Sequence, residues 1–432
     1  MKKIVKIGQA ASIQHSSLIA FISIGILIVT LSSFAQWASI PLGGTLIWWA
    51  IEIAILIGFL KIKTKYHNVT KQESLFVITL FVLWNIGCIV RGFLIADNYW
   101  EFKNLINTSL VLLLPLSIYS FVNVEITNNI ARIWVKFALP FFIIFLPFMT
   151  AGDAYGRYLA PLCFFLLFFS FLNTKWKIVI VLFSAFVILG AMNARSSVIK
   201  FSIAFLLGLT FYFRTFLSVN FFRIVRFFLL FCPFVFFFLG ATGKFNVFKM
   251  DEYLTADLTT TVSNNGQAEV EDLRADTRSG LYEEVLASAR KHNYVLAGRT
   301  PARGNDSELF GEFLEKDLKT GKRERFTNEV SILNIFTWTG VIGVFLYFFI
   351  FYKATYLAIN KSNSLIMRII GTFVAFRWTY AWIEDFSDFD LTYIYLWIMI
   401  GICFSKSFRK LTDKEFKDWT LKIFSSKRVI QN

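Results

Sequence analysis

FRIVRFFLLFCPFVFFFLGATGKFNVFK, residues 222–249, decides the class of fold. Arg223 and Arg226 precede an apolar run over 227–243, and polar residues resume at Lys244. The run is apolar all round, so no single face could be turned to a soluble core while the rest met water. It reads as a membrane span whose arginines mark the inner end. The composition extends this to the whole chain. Its 432 residues include 52 Phe, 15 Tyr and 12 Trp, 56% are apolar and only 17% are charged, with a mean hydropathy of +0.58. A soluble multidomain enzyme, a disordered chain, a collagen and a disulfide-stapled scaffold are all excluded. Cys88, Cys163, Cys232 and Cys403 lie in apolar runs. His15, His67 and His292 stand far apart without a partner at ligand spacing, so no metal site and no cofactor are expected.

Twelve such runs can be marked, at approximately 15–36, 40–60, 74–96, 105–122, 133–149, 159–172, 178–193, 198–216, 227–243, 330–352, 367–384 and 391–405. With the N-terminus inside, alternate connections fall on opposite faces. The inner ones hold Lys2, Lys3, Lys6; Lys61, Lys63, Lys65, Lys71; Arg132; Lys175, Lys177; Arg214, Arg223, Arg226; Lys353, Lys361, Arg368; and eight more in the tail from Lys406 to Arg428. The short outer ones hold only Lys103, Arg157, Arg195 and Lys200. That asymmetry is what the positive-inside rule requires. It assigns the excess of 44 Lys+Arg over 29 Asp+Glu to cytoplasmic loops, with membrane lipid and not nucleic acid as the partner. The start MKKIVK resembles a signal-peptide n-region, but no small-residue cleavage site follows, so the first run reads as a retained helix.

Residues 244–329 interrupt the short connections and form the one sizeable polar segment, on the outer side by parity. The domain plan is therefore 1–243 with spans one to nine, a large outer loop at 244–329, 330–405 with the last three spans, and a basic cytoplasmic tail at 406–432. Within the loop, Asp276-Thr277 can cap a helix with Leu281, Val285, Leu286 and Ala289 on one side, ending before Gly298. A second amphipathic run follows Asp306-Ser307, with Leu309, Phe310, Phe313, Leu314 and Leu318 apolar and Lys316, Lys319, Lys322, Arg323 and Arg325 towards its end. Such a helix lies on the outer membrane surface or packs on its own loop domain, and both readings stand.

Ionisable residues inside spans need a partner or a role: Glu52, Arg91, Lys136, Arg377, Glu384 and Asp385. Lys136 can snorkel. Arg377 precedes Glu384 by about two helical turns, which points to an ion pair or a wet cavity, and Glu52 is a candidate partner for Arg91 or Arg377. Arginines also gather on the outer side: Arg157, Arg195, Arg274, Arg278, Arg290, Arg299 and Arg303. Guanidiniums bind phosphate oxygens bidentately, so arginines converging there suit a lipid pyrophosphate. Arg274 and Arg278 would share a helical face. Arg299 and Arg303 lie in Gly298-Arg299-Thr300-Pro301-Ala302-Arg303-Gly304, whose glycines permit a turn that offers backbone N–H groups to an anion. The ordinary reading of any one loop arginine is solvation or a salt bridge. Arg195 stands out because the charge rule disfavours its position.

Three places carry a resemblance to the bacterial O-antigen polymerase and O-antigen ligase superfamily, the lipid-linked polysaccharide polymerases. Asn193-Ala194-Arg195-Ser196-Ser197 closes an apolar run as the family's Ser-Arg turn does. Thr277-Arg278-Ser279-Gly280 and Gly298-Arg299-Thr300-Pro301 look like its loop arginine and glycine elements. Phe326-Thr327-Asn328-Glu329-Val330-Ser331-Ile332-Leu333, running into Thr339-Gly340-Val341-Ile342-Gly343, is similar to its His-Asn pair before a Gly-x-x-Gly helix.

The resemblance implies an all-α polytopic membrane protein of about twelve spans, glycosyltransferase C-like, with one large, partly helical periplasmic loop. It implies an inner-membrane glycosyltransferase that joins undecaprenyl-pyrophosphate-linked repeat units into an O-antigen, capsule or exopolysaccharide, without metal or cofactor. It also leaves room for a chain-length regulator protein as partner. Arg195, Arg278, Arg299 and Arg303 are the expected pyrophosphate ligands, with Arg91, Asn328 and Arg377 in support. Where the ligases carry His this chain has Thr327, which weakens the ligase reading, since a threonine is no base near neutral pH. Glu329 could take the acceptor's proton if partly buried, or could simply be a carboxylate in the first turn of a helix. Asp306, Glu308 and the Glu384-Asp385 pair are the other carboxylates considered for that role. Tyr99, Trp100, Tyr155 and Tyr158 are sugar-stacking candidates or membrane anchors. Transfer of the glycan to lipid A core remains the alternative within the superfamily, and a lipid-linked oligosaccharide flippase the alternative outside it.

Overall fold

The structure is a computed structural model and describes residues 9–65, 75–190, 195–249, 252, 259–264, 267–272, 276 and 278–425. Among these, eight helices are long and apolar enough to cross a membrane: Ser17–Trp37, Thr45–Thr64, Phe76–Ile95, Tyr99–Phe121, Val124–Phe148, Arg195–Phe213, Val219–Ala241 and Ser331–Asn360. The chain is a helical membrane protein. Four of the twelve expected runs form shorter elements. The 159–172 run is a seven-residue helix, Pro161–Leu167, followed by a 3-10 turn, Phe169–Phe171. The others lie in Thr174–Gly190, Leu365–Tyr380 and Leu391–Phe404. Every residue of Pro161–Leu167 is buried, as is nearly all of Leu391–Phe404. A helix wrapped in protein need not match the hydrocarbon thickness, so Pro161–Leu167 and Leu391–Phe404 can form the middle of the bundle, whereas Thr174–Gly190 leaves Ile178, Leu182 and Leu189 exposed.

The opposite case is Val219–Ala241, where Phe227, Phe228 and Phe238 are 59%, 64% and 64% exposed, as lipid-facing side chains would be. This helix starts eight residues before the apolar run, because the Ser218 hydroxyl accepts the Phe221 N–H at 3.2 Å and caps it there. Arg226 is thereby carried inside the helix. It donates to Thr355 Oγ1 at 2.9 Å and lies over the Tyr352 ring.

The polar segment contains an antiparallel hairpin, Thr259–Asn264 with Gln267–Asp272, which the partly helical reading of the loop did not include. Its first expected helix is Ser279–Lys291, with the Asp276 carboxylate accepting the N–H groups of Arg278 and Ser279, both at 2.9 Å. Thr277 lies outside the described residues. Leu281, Val285 and Ala289 are buried, while Leu286 is only partly so. The second helix, Gly311–Leu318, leaves Phe313 largely exposed, as is Leu309 before it, while Leu314 and Leu318 are partly buried.

The segment is not a detached outer domain. The Ser331–Asn360 helix breaks at Gly340, where φ is +69° and ψ is −174°. Into that break docks the stretch after Tyr294: Val341 N–H donates to Val295 O at 2.9 Å, Ile342 N–H to Leu296 O at 3.3 Å, and Arg299 N–H to Thr337 O at 2.7 Å. Trp84 Nε1 donates to Thr339 O. Broken backbone within a membrane bundle persists only where protein satisfies it in this way. Gly298, at φ +74°, allows the approach; a Cβ there would stand 2.5 Å from the Thr339 nitrogen. Gly298 thus seats the loop on the bundle, whereas Gly304 packs against the Arg325 backbone within the loop.

Candidate functional site

The start of the Ser331–Asn360 helix organises the site. Its first-turn donors, Ser331 N–H and Ile332 N–H, are satisfied by the carbonyls of Glu384 at 3.2 Å and Ala381 at 3.0 Å. The turn after the Leu365–Tyr380 helix is thereby clamped beside residues 326–329. Asn328 is buried and exchanges hydrogen bonds with Asn334: its N–H donates to Asn334 Oδ1 at 2.6 Å, and Asn334 Nδ2 donates to its carbonyl at 2.8 Å. Asn328 Nδ2 also donates to Asn305 Oδ1 at 2.9 Å, so this residue holds the loop to the helix.

These stretches, with the first turn of Arg195–Leu209 and with Arg278 before the 279–291 helix, surround a cavity of about 660 Å³. Arg195, Arg278, Asn328 and Glu329, four residues singled out in the sequence, all line it, as does Thr327. So do Arg157, Lys200 and Arg325. Sequence reading gave Lys200 and Arg325 no role in a site. The signal for Lys200 was present, since it is one of the few basic residues that the charge count leaves on the outer side. Arg325 had only its place in a basic run. Asn193, Ala194 and Arg274 lie outside the described residues.

The charges of the wall are partly paired. Glu329 lies between two guanidiniums, with Oε2 2.7 Å from Arg278 Nη1 and Oε1 3.3 Å from Arg325 Nη2. Its side chain is 52% exposed. Lys200 Nζ meets Glu384 Oε1 at 2.5 Å, and Arg377 Nη1 stands 3.6 Å from Glu384 Oε2 with its guanidinium over the Phe386 ring. The Arg377–Glu384 ion pair expected from the sequence is present, and Glu384 also lines the cavity. Arg157 is held by Asp390 at 2.9 Å and Asp388 at 3.3 Å.

Other expected residues are elsewhere. Arg299 Nη1 binds Asp306 Oδ1 and its Nη2 binds Glu324 Oε1, both at 2.9 Å, while Arg303 pairs with Glu324 and stands 3.7 Å from Glu101. Neither lines the cavity; their guanidiniums serve carboxylates that stitch the loop to itself and, through buried Glu101, to the Tyr99–Leu113 helix. Arg91 donates to the carbonyls of Ala297 at 2.8 Å and Gly298 at 3.1 Å, a strut under the docked stretch and away from the cavity wall. Glu52 therefore pairs with neither Arg91 nor Arg377 among the described residues. None of Tyr99, Trp100, Tyr155 and Tyr158 lines the cavity; Tyr158 is buried and donates to Ala138 O. Phe248 and Tyr380 supply its aromatic wall instead.

Asp306 anchors the loop network. Burial alone would raise its carboxyl, but hydrogen bonds from Lys291, His292 and Arg299 outweigh this and hold it at about 2. The folded value is below that of a free aspartate, about 3.9. Its contribution to stability is thus complete above about pH 4 and is lost as the pH falls towards 2. Asp306→Asn is expected to unfold more readily at pH 7 and to lose that part of the acid dependence, measured by tryptophan fluorescence between about pH 5 and pH 2.

Convergent guanidiniums beside the first turn of a helix make a site for an anion with several oxygens. No protein-family model matches the chain, and no curated protein matches it.

Proposed function

We propose that this protein is a glycosyltransferase of the inner membrane that polymerises undecaprenyl-pyrophosphate-linked oligosaccharide units into a surface polysaccharide. The observation that carries the reading is the cavity itself. It brings Arg195 and Lys200 of the Arg195–Leu209 helix together with Arg278 and Arg325 from two separate stretches of the loop, beside Tyr380, Phe248 and several carboxylates. Transfer from such a donor breaks the bond between the anomeric carbon and the pyrophosphate oxygen. Negative charge then grows on the leaving group, and fixed guanidiniums aimed at it lower the barrier. A sugar hydroxyl of the acceptor unit attacks from the opposite face, with inversion.

Vesicles holding the purified protein and lipid-linked repeat units are expected to yield a ladder of products. In cells, deleting the gene is expected to leave single capped units. Free polymer on the carrier would instead indicate a ligase, and unflipped units a transporter. The reading also places both termini in the cytoplasm and residues 244–329 in the periplasm. Phe310→Cys is then expected to react with an impermeant thiol reagent added to intact cells, and Lys417→Cys to react only after lysis. Labelling of the tail in intact cells would reverse the orientation.

A further inference from the structure

We propose that Asp385 takes the proton from the acceptor hydroxyl, an inference that rests on the glycosyl-transfer reading above. Four carboxylates line the cavity: Asp153, Glu329, Glu384 and Asp385. Glu329 is bridged by Arg278 and Arg325, and Glu384 by Lys200 and Arg377. A carboxylate with a cation at each oxygen is a poor proton acceptor, because protonation must first break those pairs. Asp153 is exposed, and no described residue donates a hydrogen bond that would orient its carboxylate.

Asp385 differs from all three. Among the described residues no cation pairs with it. Its Oδ1 accepts hydrogen bonds from neutral donors only: Ser331 Oγ at 3.1 Å, Ser387 N–H at 2.9 Å and Ser387 Oγ at 2.5 Å. Oδ2 takes no hydrogen bond from a described residue and is not fully buried, on a residue that lines the cavity. One oxygen is fixed and the other is presented, which is the geometry a general base requires. Ser331 also accepts the Phe386 N–H at 2.8 Å, which fixes the turn from its other side.

In the step, the acceptor O–H proton passes to Asp385 Oδ2 while the acceptor oxygen bonds to the anomeric carbon of the donor sugar. The bond from that carbon to the pyrophosphate oxygen breaks, and its electron pair leaves with the lipid pyrophosphate. Asp385 returns the proton to water.

Asp385→Asn keeps the Oδ1 acceptor for both serines and removes the basicity. Polymer formation is expected to fall by about 10²- to 10⁴-fold while donor-lipid binding and the unfolding midpoint match the wild type. Azide needs no proton removed. In Asp385→Ala, added azide is expected to restore release of lipid pyrophosphate with formation of a glycosyl azide, and in Arg278→Ala it is not, because there the leaving group has lost its support. An Asp385→Asn protein within about threefold of wild-type turnover overturns the assignment. So does an Asp385→Ala protein that binds donor normally yet gains nothing from azide. A wild-type protein inert towards lipid-pyrophosphate glycans overturns the glycosyltransferase reading itself, a result distinct from either variant's.

Discussion

Replacing Arg278 by alanine is expected to lower polymer formation by about 10²- to 10³-fold, the usual cost of removing one donor aimed at a developing anion. Arg278 Nη1 lies 2.7 Å from Glu329 Oε2 and its Nε 3.3 Å from the Ile383 carbonyl, so the fork is held at the cavity wall before any ligand arrives. Its side chain is 25% exposed, and Arg325 remains beside Glu329 when it is gone. The fold is therefore expected to survive, with protein level and membrane insertion unchanged. Lysine should rescue in part, because it restores the charge without the planar pair of donors. The readout is the product ladder together with affinity for the donor lipid. Undiminished turnover in Arg278→Ala would remove this residue from the site.

Glu324→Ala carries the largest expected effect on stability, a loss of about 3–5 kcal/mol. Glu324 is 6% exposed at its side chain and is shared by Arg299 and Arg303, themselves only 10% and 19% exposed. Its removal leaves two shielded guanidiniums competing for Asp306 and Glu101, and Lys322 already holds Glu101 at 2.5 Å. A surface pair of the same geometry would contribute little, which makes burial the deciding term. Thermal unfolding in detergent measures the loss, and Glu324→Gln should lie between the two proteins. A midpoint equal to wild type for the alanine variant would show that water, and not protein, surrounds these arginines.

Sequence reading reaches Arg195, Arg278, Asn328 and Glu329, and the fold brings all four to one cavity. Each was legible for a local reason. Arg195 stands where the charge rule disfavours it, Arg278 follows the Asp276 that caps a helix, and Asn328 and Glu329 immediately precede the apolar run that begins at 330. Arg299 and Arg303 illustrate the limit. By residue type and glycine context they match an anion site as well as Arg278 does, yet their partners are Glu324 and Glu101, the latter some 200 positions away in the chain. Lys200 fails in the other direction. It reads as a loop charge and is instead a buried residue of a helix, paired with Glu384.

The class of protein is determined by the sequence alone, since whether a run of about 20 residues prefers hydrocarbon to water depends only on its own side chains. The two amphipathic loop segments are local in the same sense. Everything that separates a structural guanidinium from one facing the cavity is decided by tertiary structure. A buried charge must find a partner wherever the fold places one, and the carboxylates that claim Arg299, Arg303 and Lys200 arrive from stretches whose approach no local pattern encodes. The break at Gly340 has the same origin, because a helix gives up its own hydrogen bonds only where another stretch, here 295–299, is present to replace them.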